Sequence, residues 1–152
     1  MRLTITALCC LTMTALSTFA LDQQFVDQAM QSAQNIERDA RALSDAVKAK
    51  AIDSAEVKKQ IAAMTHYIAT LQKQVADFEA TNPTFSGREK EDWAKFKQKV
   101  QLIEIFHGQK QELANSDLVR NRKLLRAHAS GVAKRSQMLQ QTISRLARSP
   151  VS

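Results

Sequence analysis

The sequence predicts an all-α protein, an antiparallel four-helix up-down bundle with coiled-coil-like packing. Three observations carry that expectation. First, Val57, Ile61, Met64, Ile68, Leu71, Val75 and Phe78 step alternately by four and three residues, an unbroken apolar seam on one helix face. Second, the 152 residues include only 3 Gly and 2 Pro, and no run of β-branched residues occurs from residue 21 onward. Third, three further stretches repeat apolar residues at helical spacing, with short polar breaks between them. A lone amphipathic helix is unstable in water, so the seam must be covered by other helices. Its seven large side chains offer on the order of 10–20 kcal/mol of burial before chain entropy is subtracted.

The first twenty residues are set apart from the bundle. Arg2 is followed by an apolar run from Leu3 to Leu16, and Ser17-Thr18-Phe19-Ala20 places small residues at −3 and −1 of a cut after Ala20. This is the pattern of a cleaved secretory signal peptide, residues 1–20. The alternative is a retained N-terminal anchor, since the uncharged run approaches the shortest membrane span. Cys9 and Cys10, the two cysteines, both lie in that run, so a chain starting at Leu21 has neither disulfides nor thiolate ligands. An exported protein is expected, periplasmic or extracellular. About 130 residues remain, enough for one domain with a core and too few for two.

The first helix is expected over residues 22–50. Val26, Ala29, Ala33, Ile36, Ala40, Leu43 and Val47 form its buried face, and the alanines would let a neighbour approach closely. Asp53 and Glu56 have the spacing of a capping box and start a second helix, residues 54–80. Asn82-Pro83 stops it, because the residue before proline is pushed out of the α region. Ser86 and Glu89 form a second capping box for a third helix, 87–114, with Trp93, Phe96, Val100, Ile103 and Phe106 on its face and Leu102 and Ile105 alongside. Counting sevens from Trp93 and Val100 reaches His107.

The fourth helix is expected over 117–148, on the stripe Leu118, Leu125, Val132, Leu139 and Leu146. The registers of the third and fourth stripes do not match. A break therefore falls at Asn115-Ser116-Asp117, with Asn115 ending one helix in the left-handed region and Ser116 or Asp117 capping the next. The competing expectation is one helix from Gly87 to Arg148, a long hairpin or rod that dimerises. The bundle domain spans 21–148, and 149–152 is expected to be a disordered tail. Monomer and homodimer are both compatible with these lengths.

Charge is asymmetric. Residues 21–117 hold 13 basic and 15 acidic side chains, whereas residues 118–152 hold eight basic and none acidic. The cations are Arg120, Arg122, Lys123, Arg126, Lys134, Arg135, Arg145 and Arg148. One expectation is a solvated face that draws its counter-charges from the other three helices. The other is a surface for an acidic envelope component or protein partner, or for peripheral membrane contact, with Arg120, Lys123, Arg126, Lys134 and Arg135 as the contacting residues. Arg120, Arg126 and Lys134 point outward on a helical wheel, whereas Arg122, Arg135 and Arg145 flank the apolar stripe. Nucleic acid is not expected: no nucleic-acid-binding motif occurs, and one Trp and one Tyr provide no stacking platform.

Catalytic and cofactor motifs are absent. His66, His107 and His128 include no i, i+3 or i, i+4 pair, so neither a metal nor another cofactor is expected. His128 is placed in a polar row with Asn121, Arg135 and Thr142. No Cys-x-x-Cys-His or Gly-x-Ser-x-Gly occurs, and Glu37/Asp45 and Glu89/Asp92 read as helix surface. The expected protein is not an enzyme. It acts by surface binding, in a chaperone-like way or on an acidic partner. A self-associating coiled-coil scaffold is the first alternative. The second is a small-ligand carrier, for example of haem held by Met30, Met64 or Met138 against His107 or His128.

Overall fold

The computed structural model describes residues 22–82, 85 and 87–148. The expected signal peptide, the Ser86 cap, Pro83 and the expected tail lie outside the described residues. Four helices pack against one another: α1 (Gln23–Lys48), α2 (Ser54–Thr81), α3 (Gly87–Gly108) and α4 (Arg122–Leu146). The single chain from 87 to 148 is broken into two helices, so the long rod is excluded.

Helix α1 starts at Asp22, whose carboxylate accepts from the Gln24 N–H at 3.0 Å. Its seven expected core positions are all buried. The alanines do what small residues allow: α1 packs extensively against both α2 and α4. Helix α2 is capped by Asp53, which accepts from the N–H groups of Ala55 (2.8 Å) and Glu56 (3.3 Å). Glu56 turns instead to Gln60 and Lys59, so only half of the capping box forms. All seven seam residues of α2 are buried. At its end Asn82 donates to the Phe78 carbonyl from both its backbone and its side chain.

Neighbouring helices run antiparallel. Phe25 near the start of α1 stacks on Phe78 near the end of α2, with ring centroids 4.4 Å apart. Ser32 Oγ donates to Gln74 Oε1 at 3.1 Å. Helix α3 enters through Gly87, whose φ of +50° favours glycine. Trp93 and Phe96 then join Phe25 and Phe78 in an aromatic cluster, and Phe85 stacks on Trp93 at 5.0 Å. Glu79 of α2 clasps α3 here, accepting from Trp93 Nε1 at 2.8 Å and from Lys97 Nζ at 2.6 Å.

The α3–α4 connection differs from expectation. Helix α3 ends at Gly108 rather than near 114, and α4 begins at Arg122 rather than 117. Between them Gln111–Asn115 form a 3-10 turn that packs against α2. Leu113 and Ala114 looked like the tail of α3 because they are apolar; they cover α2 from the turn instead. Asn115 is not left-handed, since no described non-glycine residue has positive φ. Ser116 closes the turn on the Leu113 carbonyl. Asp117 does cap, accepting from Val119 and Arg120 N–H at 3.0 Å each, but over a single turn that precedes α4.

Candidate functional site

Two features of α4 stand apart: its cations on the outside and a histidine on the inside. On the outside, Arg120, Lys123, Arg126 and Lys134 are exposed. Lys123, Lys134 and Arg145 recur every eleven residues, a spacing that keeps side chains on one line of an α-helix. Successive members lie about 16 Å apart along the axis. Arg126 lies to one side of this line, and Arg120 sits in the preceding turn. Arg135 does not join them. Its guanidinium lies 3.9 Å from the centroid of the Phe106 ring on α3 and donates to the Gly131 carbonyl at 3.1 Å. Arg122 is half-buried and reaches towards the Lys50 carbonyl at 3.5 Å.

Counter-charges are the deciding observation. On α1, α2 and α3, eight cations lie within 4.0 Å of a carboxylate, among them Arg41 with Glu37 and Lys97 with Glu79. Arg120, Lys123, Arg126, Lys134 and Arg135 have no such partner. The neighbouring helices therefore supply no acid to these five. Glu37 of α1 does face α4, but it accepts from Gln137 (2.8 Å) and Gln140 (2.7 Å) as well as from Arg41 (2.7 Å). Partial burial opposes its charge, and these hydrogen bonds outweigh that, holding its carboxyl below the usual carboxylate range. Glu37 is thus a tie between α1 and α4 rather than plain helix surface. Beside it runs an open groove of about 750 Å³, lined by Met30, Gln34, Gln141, Ser144 and Arg148 among others.

On the inside, His128 is fully buried, against the expectation of a polar flanking row. It faces His107 of α3, itself 3% exposed, with His107 Nδ1 and His128 Nε2 3.2 Å apart. The bonding network fixes the tautomers. Thr65 Oγ1 of α2 donates to the Ile61 carbonyl at 3.0 Å, so it accepts from His107 Nε2 at 2.9 Å. His107 Nδ1 is then the acceptor, and His128 Nε2–H donates to it. His128 Nδ1 remains a buried acceptor without a partner. Either imidazole, once protonated, would leave a buried N–H donor unpaired. Burial accordingly pushes both rings to the neutral form: His107 below the ordinary histidine value, and His128 down to about 4, helped by repulsion from His107 and Lys110.

Phe106 stacks on His128 with centroids 5.6 Å apart and lies over Gly131, where a Cβ would meet its ring at 2.5 Å. Arg135, Phe106, His128, His107 and Thr65 thus form one continuous stack that pins α3 between α4 and α2. Local spacing could not reveal it, because its two polar bonds span 21 and 42 residues. The only sequence signal was the count of sevens that put His107 on the α3 seam. His66 is exposed and takes no part. Met138 is 45% exposed on the outer face of α4, which removes it from any axial pairing with these histidines. Among the described residues no three His, Cys, Asp or Glu side chains gather as a metal site.

Compared with family models, with curated proteins and with solved structures, the chain matches none of them. The fold and the site define a four-helix bundle in which Arg120, Lys123, Arg126 and Lys134 are exposed without a carboxylate beside them.

Proposed function

We propose that this protein is an exported, non-enzymatic binding protein that engages an acidic partner through the outer face of α4. The observation that carries this is the missing counter-charge: Arg120, Lys123, Arg126 and Lys134 are exposed with no carboxylate beside them, while eight of the eleven cations on the other helices sit beside one. Exposed charges of one sign raise the local concentration of opposite charge and steer it to contact. Arg135 is dropped from the contacting set, because the Phe106 ring and the Gly131 carbonyl hold it.

The test is binding to inorganic polyphosphate, a soluble polyanion, at low and physiological salt. Changing Lys123, Arg126 and Lys134 together to Gln should weaken binding by about tenfold at low salt and flatten its salt dependence. Equal binding by the variant would remove α4 as the contacting face.

A further inference from the structure

The exposed apolar side chains are as unevenly distributed as the cations. Among the described residues the exposed large hydrophobics are Leu102 (49%), Ile105 (47%), Val119 (71%), Leu124 (48%) and Met138 (45%). They lie on α3, on α4 or on the turn between them; none is on α1 or α2.

Their placement follows from contacts already described. On α4, Gln137 and Gln140 mark the side towards α1, and His128, Gly131 and Arg135 mark the side towards α3. Leu124, Gly131 and Met138 are seven residues apart, so they share one row, and Phe106 fills the gap at the glycine. Leu102 lies one turn before Phe106 on the same side of α3. Lys134 falls between Gly131 and Met138 on the helix surface, three residues after one and four before the other. The α3–α4 seam is thus an apolar strip bordered by unpaired cations.

Along the facing parts of α3 and α4 acids are kept off it, and Glu112 and Asp117 lie in the turn that joins the two helices. From Trp93 to Gln109 the one carboxylate is Glu104. It is seven residues from Lys97, which faces α2 through Glu79, so Glu104 belongs to the α2 side. From Leu118 onward there is no acid at all.

We infer that the α3–α4 face docks on an anionic lipid bilayer, with Leu102, Leu124 and Met138 entering the headgroup boundary and Lys123 and Lys134 meeting lipid phosphates. The inference rests on the acidic-partner function proposed above and names its partner class. A soluble polyanion would reward the cations but leave the half-exposed apolar strip in water. A bilayer interface rewards both. No described helix is long and apolar enough to cross a membrane, so the contact is peripheral.

Co-sedimentation of the purified protein with vesicles tests this. One vesicle type mixes phosphatidylglycerol with phosphatidylcholine; the other is phosphatidylcholine alone and measures any contribution common to all variants, including that of the first twenty residues. The wild-type protein should prefer the anionic vesicles and lose that preference as salt rises. The triple change Leu102→Gln, Leu124→Gln and Met138→Gln should weaken anionic-vesicle binding at least about tenfold while leaving polyphosphate binding unchanged. The triple charge change Lys123→Gln, Arg126→Gln and Lys134→Gln should weaken both, on vesicles by about fivefold for each of the two lysines that border the strip. If the apolar variant binds vesicles like wild type, or polyglutamate is bound in preference to vesicles, the bilayer is not the partner, although the acidic-partner function stands. If the charge variant binds both ligands like wild type, the acidic-partner function falls as well.

Discussion

The two ends of α3 are fastened in opposite ways. At its start, Trp93 and Phe96 enter a cluster with Phe25, Phe78 and Phe85, and this end is secured chiefly by apolar contact. At its end, His107 is secured by a buried hydrogen bond to His128 and a partly buried one to Thr65. The aromatic cluster touches one titrating group, the Glu79 carboxylate that accepts from Trp93, and this is held below the usual carboxylate range, so the packing is indifferent to pH in the range where histidines titrate. Protonating either ring weakens the second end, because it leaves a buried N–H without an acceptor. One helix thus has a permanent anchor and a conditional one.

The largest predicted effect breaks the permanent anchor. Phe96 is fully buried, and Phe96→Ala should cost about 3–5 kcal/mol in denaturant unfolding, with little change between pH 7.5 and pH 5. Acid tests the other anchor. The unfolded chain takes up a proton on His128 near 6.5, whereas the folded chain resists until about 4. Between those values the unfolded state binds more protons, so stability is complete above about 6.5 and declines as pH falls towards 4. The total loss is on the order of 3 kcal/mol. Carboxylates held low, such as Glu37 and Glu79, add their loss only below the ordinary value of 4.5, so the drop from pH 7 to pH 5 belongs to the histidines. His128→Gln, which keeps a donor for His107 Nδ1, should flatten that drop. An unchanged slope would mean the histidine pair does not set it.

Smaller changes sharpen the contrast away from α3. Glu37→Ala removes the acceptor of Gln137 and Gln140 and should cost about 1–2 kcal/mol in the same unfolding measurement. Gly131→Ala should move the midpoint least, by less than about 1 kcal/mol. The gain in helix propensity offsets the loss of Phe106 and Arg135 packing. The displaced Phe106 ring should nevertheless show in its NMR shifts.

Apolar spacing made much of this legible. All seven seam residues of α2 are buried, as are the seven of α1. On α4 only half of the interior was readable. Leu125, Val132 and Leu139 stand out, but the second buried row is His128, Ala129, Ser136 and Ile143, mostly polar or small. Such residues reach the core because a partner on another helix, or a small volume, suits them there, and neither condition is written locally. The α3–α4 connection was misplaced for the converse reason: Leu113 and Ala114 bury apolar surface without being helical. The eight cations of the last segment were plain, yet the eleven-residue line of Lys123, Lys134 and Arg145, and the lack of carboxylate partners for Arg120, Lys123, Arg126 and Lys134, emerged only once the helix phases were fixed.

The tie between Glu37 and α4 also has a consequence for how the chain reaches this state. Its hydrogen bonds join residues 100 and 103 positions apart. The α1–α2 hairpin can form as soon as residue 82 is available, but it covers only one flank of the alanine face of α1. The other flank waits for α4, the fourth of these helices in chain order. Long-range closure of this kind costs loop entropy before any contact rewards it, which places α4 docking late in folding. A chain ending before Arg122 would leave the alanine face of α1 without its cover, so the basic helix is the closing piece of the core.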